Sequence, residues 1–120
     1  MNGMLAARIA GARRELAEAE IALRAAQDIH KANELNAEEI AVQRMGDAKV
    51  TVDERARRLK YFVSVQCSDT REALNEAGSK VLRAQAELDA LLDERREAEW
   101  EVRRSIAVSL DGQHIPEILA

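Results

Sequence analysis

In 120 residues there is one proline, one cysteine, five glycines and only three aromatic side chains. Each scarcity excludes something. With the single proline at Pro116, no pyrrolidine ring interrupts a helix before the far end of the chain. A lone Cys67 rules out an intrachain disulfide and suits a reducing compartment, where it serves as a small buried hydrophobe rather than a reactive thiol. An aromatic content of 2% argues against a β-sandwich or a doubly wound sheet. No apolar run approaches the ~20 residues of a membrane span. The opening "MNGMLAARIAGARRELAEAE" has no apolar core ahead of its charges, so it is not a signal peptide, and Asn2 in place of glycine excludes myristoylation. A cytoplasmic location is expected, with no membrane contact.

What is abundant is Ala, Leu, Glu and Arg, and charged residues make up 33% of the chain. That is the composition of long helices or coiled coils. The net charge of −4 is spread over both signs, so the chain neither mimics nor coats a nucleic acid. Arginine outnumbers lysine 14 to 4, as in a GC-rich bacterial or phage coding sequence.

Apolar or small residues recur at Leu5, Ile9, Ala12, Leu16, Ala19, Leu23 and Ala26, in steps of four and three. This is a heptad seam. It passes through His30 and Asn33, resumes at Ala37 and Ile40, and meets a left-handed stop at Gly46. Asn36 with Glu39 offers an alternative capping box that would split this arm near residue 35. A second seam runs Leu74, Ala77, Val81, Ala84, Leu88, Leu91, Arg95, Ala98 and Val102, entered at an N-cap Asp69 with Glu72 three residues on. It stops near Leu110, at Asp111 and Gly112.

The expected fold is therefore all-α: a long antiparallel helical hairpin, or coiled coil, in one domain over 1–110. Its arms span about 4–45 and 69–110, its connector 46–68, and a tail follows over 111–120. Alanines at every second seam position let the backbones approach closely. Gly11 and Gly78 mark places where something packs against the helix. Ile21, Ile29, Leu35, Leu82, Leu92, Trp100 and Ile106 fall off the seam, and a two-helix hairpin has no third layer to cover them. A homodimer or larger oligomer is expected to do so, with an unidentified protein as the other partner.

The connector "VTVDERARRLKYFVSV" supports two readings. Val50 and Val52, then Leu59, Tyr61, Val63 and Val65, alternate as in a β-hairpin, although "DERARR" lacks the glycine or asparagine of a tight turn. Alternatively, Thr51 and Glu54 form a capping box, and Val52, Ala56, Leu59, Val63 and Cys67 make a helical stripe. With strands at its centre, the layout of helix, β-hairpin and helix resembles a β-type prefoldin subunit. That likeness rests on layout and on no motif. It implies a barrel of hairpins and coiled-coil tips that hold unfolded clients.

Chemistry is sparse. His30 and His114 stand in no metal-ligand spacing, one cysteine builds no zinc site, and the carboxylates of "LDERREAEWE" pair with bases three or four residues away. No enzyme activity, metal or cofactor is expected. His30 and Asn33 are the register-setting candidates, because polar residues on a coiled-coil seam specify alignment. The partner-binding candidates are the basic and aromatic cluster Arg55, Arg57, Arg58, Lys60, Tyr61 and Phe62, then Trp100, then Ile115, Ile118 and Leu119 in the tail. The leading expectation is a non-catalytic protein-interaction or assembly module, acting as an adaptor, a scaffold or a small phage-type inhibitor. A prefoldin-like holding chaperone is the second reading. Nucleic-acid binding through the cations of 55–60 is the third.

Overall fold

The computed structural model describes the backbone over residues 2–47 and 49–119, and side chains over 3–47 and 49–109. Three helices account for nearly all of it: α1 (Asn2–Met45), α2 (Val52–Gln66) and α3 (Ser68–Leu119). No strand occurs among the described residues. The expected all-α antiparallel hairpin is thus observed. Its shape is a single layer only 13 Å through its thinnest direction, with a radius of gyration of 27.9 Å.

The turn of the hairpin is shorter than expected. Gly46 caps α1 at φ 48°, and its N–H donates to the Val42 carbonyl at 3.1 Å. A left-handed conformation of this kind costs glycine little. The chain re-enters a helix at Thr51, whose hydroxyl accepts from the Glu54 N–H at 3.2 Å. Capping and charge in the first turn, from Asp53 and Glu54, outweigh the β-branched residues that favoured strands. The central segment is therefore helical, and the layout on which the prefoldin likeness depended is not present.

Nor is α2 a connector at the tip. It packs back along the end of α1, where Ala37 and Ala41 are buried and Arg44 lies over the Phe62 ring at 5.3 Å from its centroid. Helices α2 and α3 form one arm with a single non-helical residue, Cys67, between them. Asp69 consequently lies inside α3 rather than capping it, because the Cys67 carbonyl already accepts the Arg71 N–H at 2.9 Å. The arms are unequal, at 44 residues against 15 and 52. The alternative split near residue 35 is also absent, since the Ala37–Ala41 turn is held by its packing.

Helix α3 does not stop at Gly112. It continues to Leu119, so the segment expected to be a tail belongs to the helix. An interior glycine costs a helix only about 1 kcal/mol, which is a preference and not a barrier. Side chains of residues 110–120, including Ile115, Ile118 and Leu119, lie outside the described part.

The core is small and divided. Ile9, Ala12, Leu88 and Leu91 form a buried cluster flanked by Leu5, Leu16 and Leu92, while Ala37, Ala41 and Cys67 are buried at the other end. Between them the alanine-rich seam is only half-buried. Gly11 and Gly78, expected at close contacts, meet nothing: a Cβ added at either finds no atom within 4 Å. Their substitution by alanine should therefore stabilise the protein by about 1 kcal/mol each, since only the backbone entropy of glycine changes. Urea denaturation of Gly11→Ala and Gly78→Ala checks this, and a loss of stability would reveal a contact at that face.

Candidate interaction surfaces

Three places bring functional side chains together: a polar layer at the α2–α3 junction, the outer face of α2, and the open end of the hairpin. In the polar layer, His30 and Asn33 of α1 converge on Thr70 of α3. His30 Nδ1 is 2.8 Å from Thr70 Oγ1, Asn33 Nδ2 donates to the same oxygen at 3.2 Å, and Thr70 Oγ1 donates to the Cys67 carbonyl at 3.1 Å. On its other side, His30 Nε2 lies 2.7 Å from Glu34 Oε1. A carboxylate only accepts, so Nε2 carries a proton. The imidazole side chain is 12% exposed, which makes this a seam layer and not a frayed arm.

Carboxylate, imidazole and hydroxyl stand here in the order that activates a nucleophile. However, Asn33 and the Cys67 carbonyl engage the hydroxyl as well, which places Thr70 as a link between the arms. His30 and Asn33 were legible as seam residues, but their partner was not. Thr70 becomes visible once the register is known, because the alignment that sets Ile9 among Leu88 and Leu91 also sets His30 beside Thr70.

Cys67 closes the junction and is fully buried. Burial pushes its thiol above the ordinary 9.0, the Glu34 carboxylate adds to this, and the Arg71 guanidinium opposes it. The folded state thus holds the proton more tightly than the unfolded chain. Stability contributed this way is complete below pH 9 and is lost as pH rises beyond it, when the unfolded thiol ionises first. Cys67→Ala should flatten that alkaline decline, as measured by denaturation across pH 8 to about 10. The native thiol should also resist alkylation until the protein unfolds.

On α2 the basic cluster is less available than its sequence suggests. Arg55 donates to the Gly46 carbonyl, and Arg58 pairs with Glu54 at 2.8 Å. Phe62 is half-buried beneath Arg44. Arg55 and Arg58 stay exposed while making these contacts, and Arg57, Lys60 and Tyr61, the last 73% exposed, make none among the described residues, with Asp53 one turn from Arg57. Two cations beside an acid are a weak phosphate track.

The open end is the most distinctive surface. Beyond Leu91 and Leu92 the next seam position is the exposed Arg95, whose long charged side chain stays out of the core. The result is a groove of about 540 Å³ floored by Leu5, Ile9, Ala98 and Val102. Arg13 overlooks it from α1 and Arg95 and Arg103 from α3, against one acid, Glu99. Arg8 and Glu94 span the arms just outside it at 3.7 Å.

Past this point α3 runs on without α1 beside it, for about 15 residues or ~22 Å at ~1.5 Å per residue. Trp100 and Val102 at the level of the groove, and Ile106 and Val108 beyond it, are all more than half exposed. Of the other residues expected off the seam, Ile21, Ile29, Leu35 and Leu82 are exposed, whereas Leu92 packs against the core. The groove was not legible in advance, since Arg95 reads simply as a flaw in the seam. No helix of the described residues is long and apolar enough to cross a membrane. Comparison with family models, curated proteins and solved structures returned no match to this chain.

Proposed function

We propose that the chain is a non-catalytic protein-interaction module that assembles with copies of itself and acts as a scaffold, adaptor or small inhibitor of a protein partner. One observation carries the reading. A layer one helix thick leaves 13 large hydrophobic side chains exposed among the described residues, which is more than a lone hairpin can shelter. Association is the ordinary way to bury such side chains, and interface cores favour aromatic anchors like Trp100.

The holding-chaperone reading has lost its structural basis along with the β-hairpin. The nucleic-acid reading is supported by the exposed Arg57, Lys60 and Tyr61, with Arg55 and Arg58 exposed but engaged by Gly46 and Glu54. Multi-angle light scattering on the whole chain tests the proposal. A mass of two or more chains supports it, and a mass of 13.4 kDa at all concentrations would sink it.

A further inference from the structure

The two broad sides of the open end differ in charge. Residues on a helix advance by about 100° each, so turning one way around α3 from the floor residue Ala98 meets Glu99 and Arg103, at about 100° and 140°. Turning the other way meets Glu94, Glu101 and Glu97 within about 100°. On α1 the same construction from Ile9 sets Ala6, Ala10 and Arg13 on the groove side and Arg8 and Glu15 on the other. The contact between Arg8 and Glu94, at 3.7 Å across the arms, joins those other sides. The groove therefore has Arg13, Arg95 and Arg103 against Glu99, and none of the three arginines forms an ion pair among the described residues. Most acids of this end, Glu15, Glu94, Glu97 and Glu101, lie away from it, with Arg8 and Arg104 among them.

We propose that the groove binds a single-chain fatty carboxylate, with the alkyl chain on Leu5, Ile9, Ala98 and Val102 and the head group among Arg13, Arg95 and Arg103. An apolar floor alone would accept any apolar surface, and the unpaired arginines are what select an anion. A guanidinium offers a carboxylate two parallel N–H donors, so arginine suits this head group better than lysine would. The alanines beside the floor leave room for an alkyl chain to lie against both helices. Size points to a small ligand. The volume of about 540 Å³ falls within the about 300–1,000 Å³ of small-molecule sites. Arg95 and Arg103 bound a length of only ~12 Å along α3, at ~1.5 Å per residue, whereas a stable protein interface takes about 800 Å² from each partner. The site adds a ligand to the interaction module and does not depend on self-association.

Equilibrium dialysis of the whole chain against decanoate, kept below its micelle-forming concentration, tests this. Decanol has the same chain without the charge, and decyltrimethylammonium carries the opposite charge. Two variants, altered only at exposed residues, accompany the parent. Arg13→Gln with Arg95→Gln and Arg103→Gln removes the cations of the groove, while Glu97→Gln with Glu101→Gln changes the far side. Circular dichroism establishes that each keeps the parental helix content.

The expected result is saturable uptake of one decanoate per chain, with decanol and decyltrimethylammonium about tenfold or more weaker because they lack the charge-assisted bonds. Each methylene that leaves water strengthens binding by a factor of about four, so octanoate should bind roughly fifteen-fold more weakly than decanoate. The triple arginine variant should hold decanoate no better than decanol. The far-side variant should change its affinity by less than about threefold, since salt screens exposed charges at that distance. Decanol bound as tightly as decanoate, or a triple variant with parental affinity, overturns the role of the arginines and with it the proposal. No uptake of decanoate at any protein concentration also overturns it and leaves the groove to a protein partner. None of these failures touches self-association, which the mass of the chain decides separately.

Discussion

Leu91→Ala lowers the unfolding free energy by about 3 kcal/mol, measured by urea denaturation at concentrations where the chain is a single copy. Leu91 is 5% exposed and belongs to the one continuous apolar cluster, with Ile9, Ala12 and Leu88. Truncation removes its own transfer free energy and leaves a cavity that Leu5, Leu16 and Leu92 fill only in part. A large domain would absorb such a loss, but typical stability is only ~0.1 kcal/mol per residue, and this core has few other members. Leu82→Ala is the control. At 72% exposure in a single copy it should change stability by less than about 0.5 kcal/mol.

Thr70→Val removes about 2 kcal/mol, the second largest effect, without changing the volume of the junction appreciably. The hydroxyl contacts His30, Asn33 and the Cys67 carbonyl. Its loss leaves His30 Nδ1 and Asn33 Nδ2 without this partner in a half-buried layer, while the Cys67 carbonyl keeps the Arg71 N–H, and an unmade bond of this kind costs about 1–3 kcal/mol. Thr70→Ser keeps the oxygen and should recover most of the loss. Combining Thr70→Val with Asn33→Leu should cost less than the sum of the two single changes, because the second removes a group that the first left unsatisfied. Additive effects in that double-mutant cycle would show that the layer does not act as a unit.

How much of this was legible varies along the chain. The α1 seam from Leu5 to Ala26 predicts the buried side of the helix, because heptad spacing alone decides which side faces a partner. The cap at Gly46 and the box at Thr51 and Glu54 are local chemistry and can be read locally. The segment 52–66 was ambiguous because its β-branched residues satisfy both periods, and its packing on α1 tips the balance. That packing also shortens the turn and makes the arms unequal, which leaves the far part of α3 alone.

The polar layer and the groove needed the register between arms. Seam spacing within each helix does not contain that register. Gly11 and Gly78 misled in the opposite sense: a glycine inside a helix suggests close contact, yet both open onto free space.

The account depends most on the chain being a single uncovered layer that associates. Small-angle X-ray scattering over a dilution series measures shape and mass together. The expected result is a radius of gyration near 27.9 Å at the dilute limit, with forward scattering per chain rising as concentration increases. A dilute value near the ~14 Å of a compact globule of this length, or a mass that never rises above one chain, would contradict it.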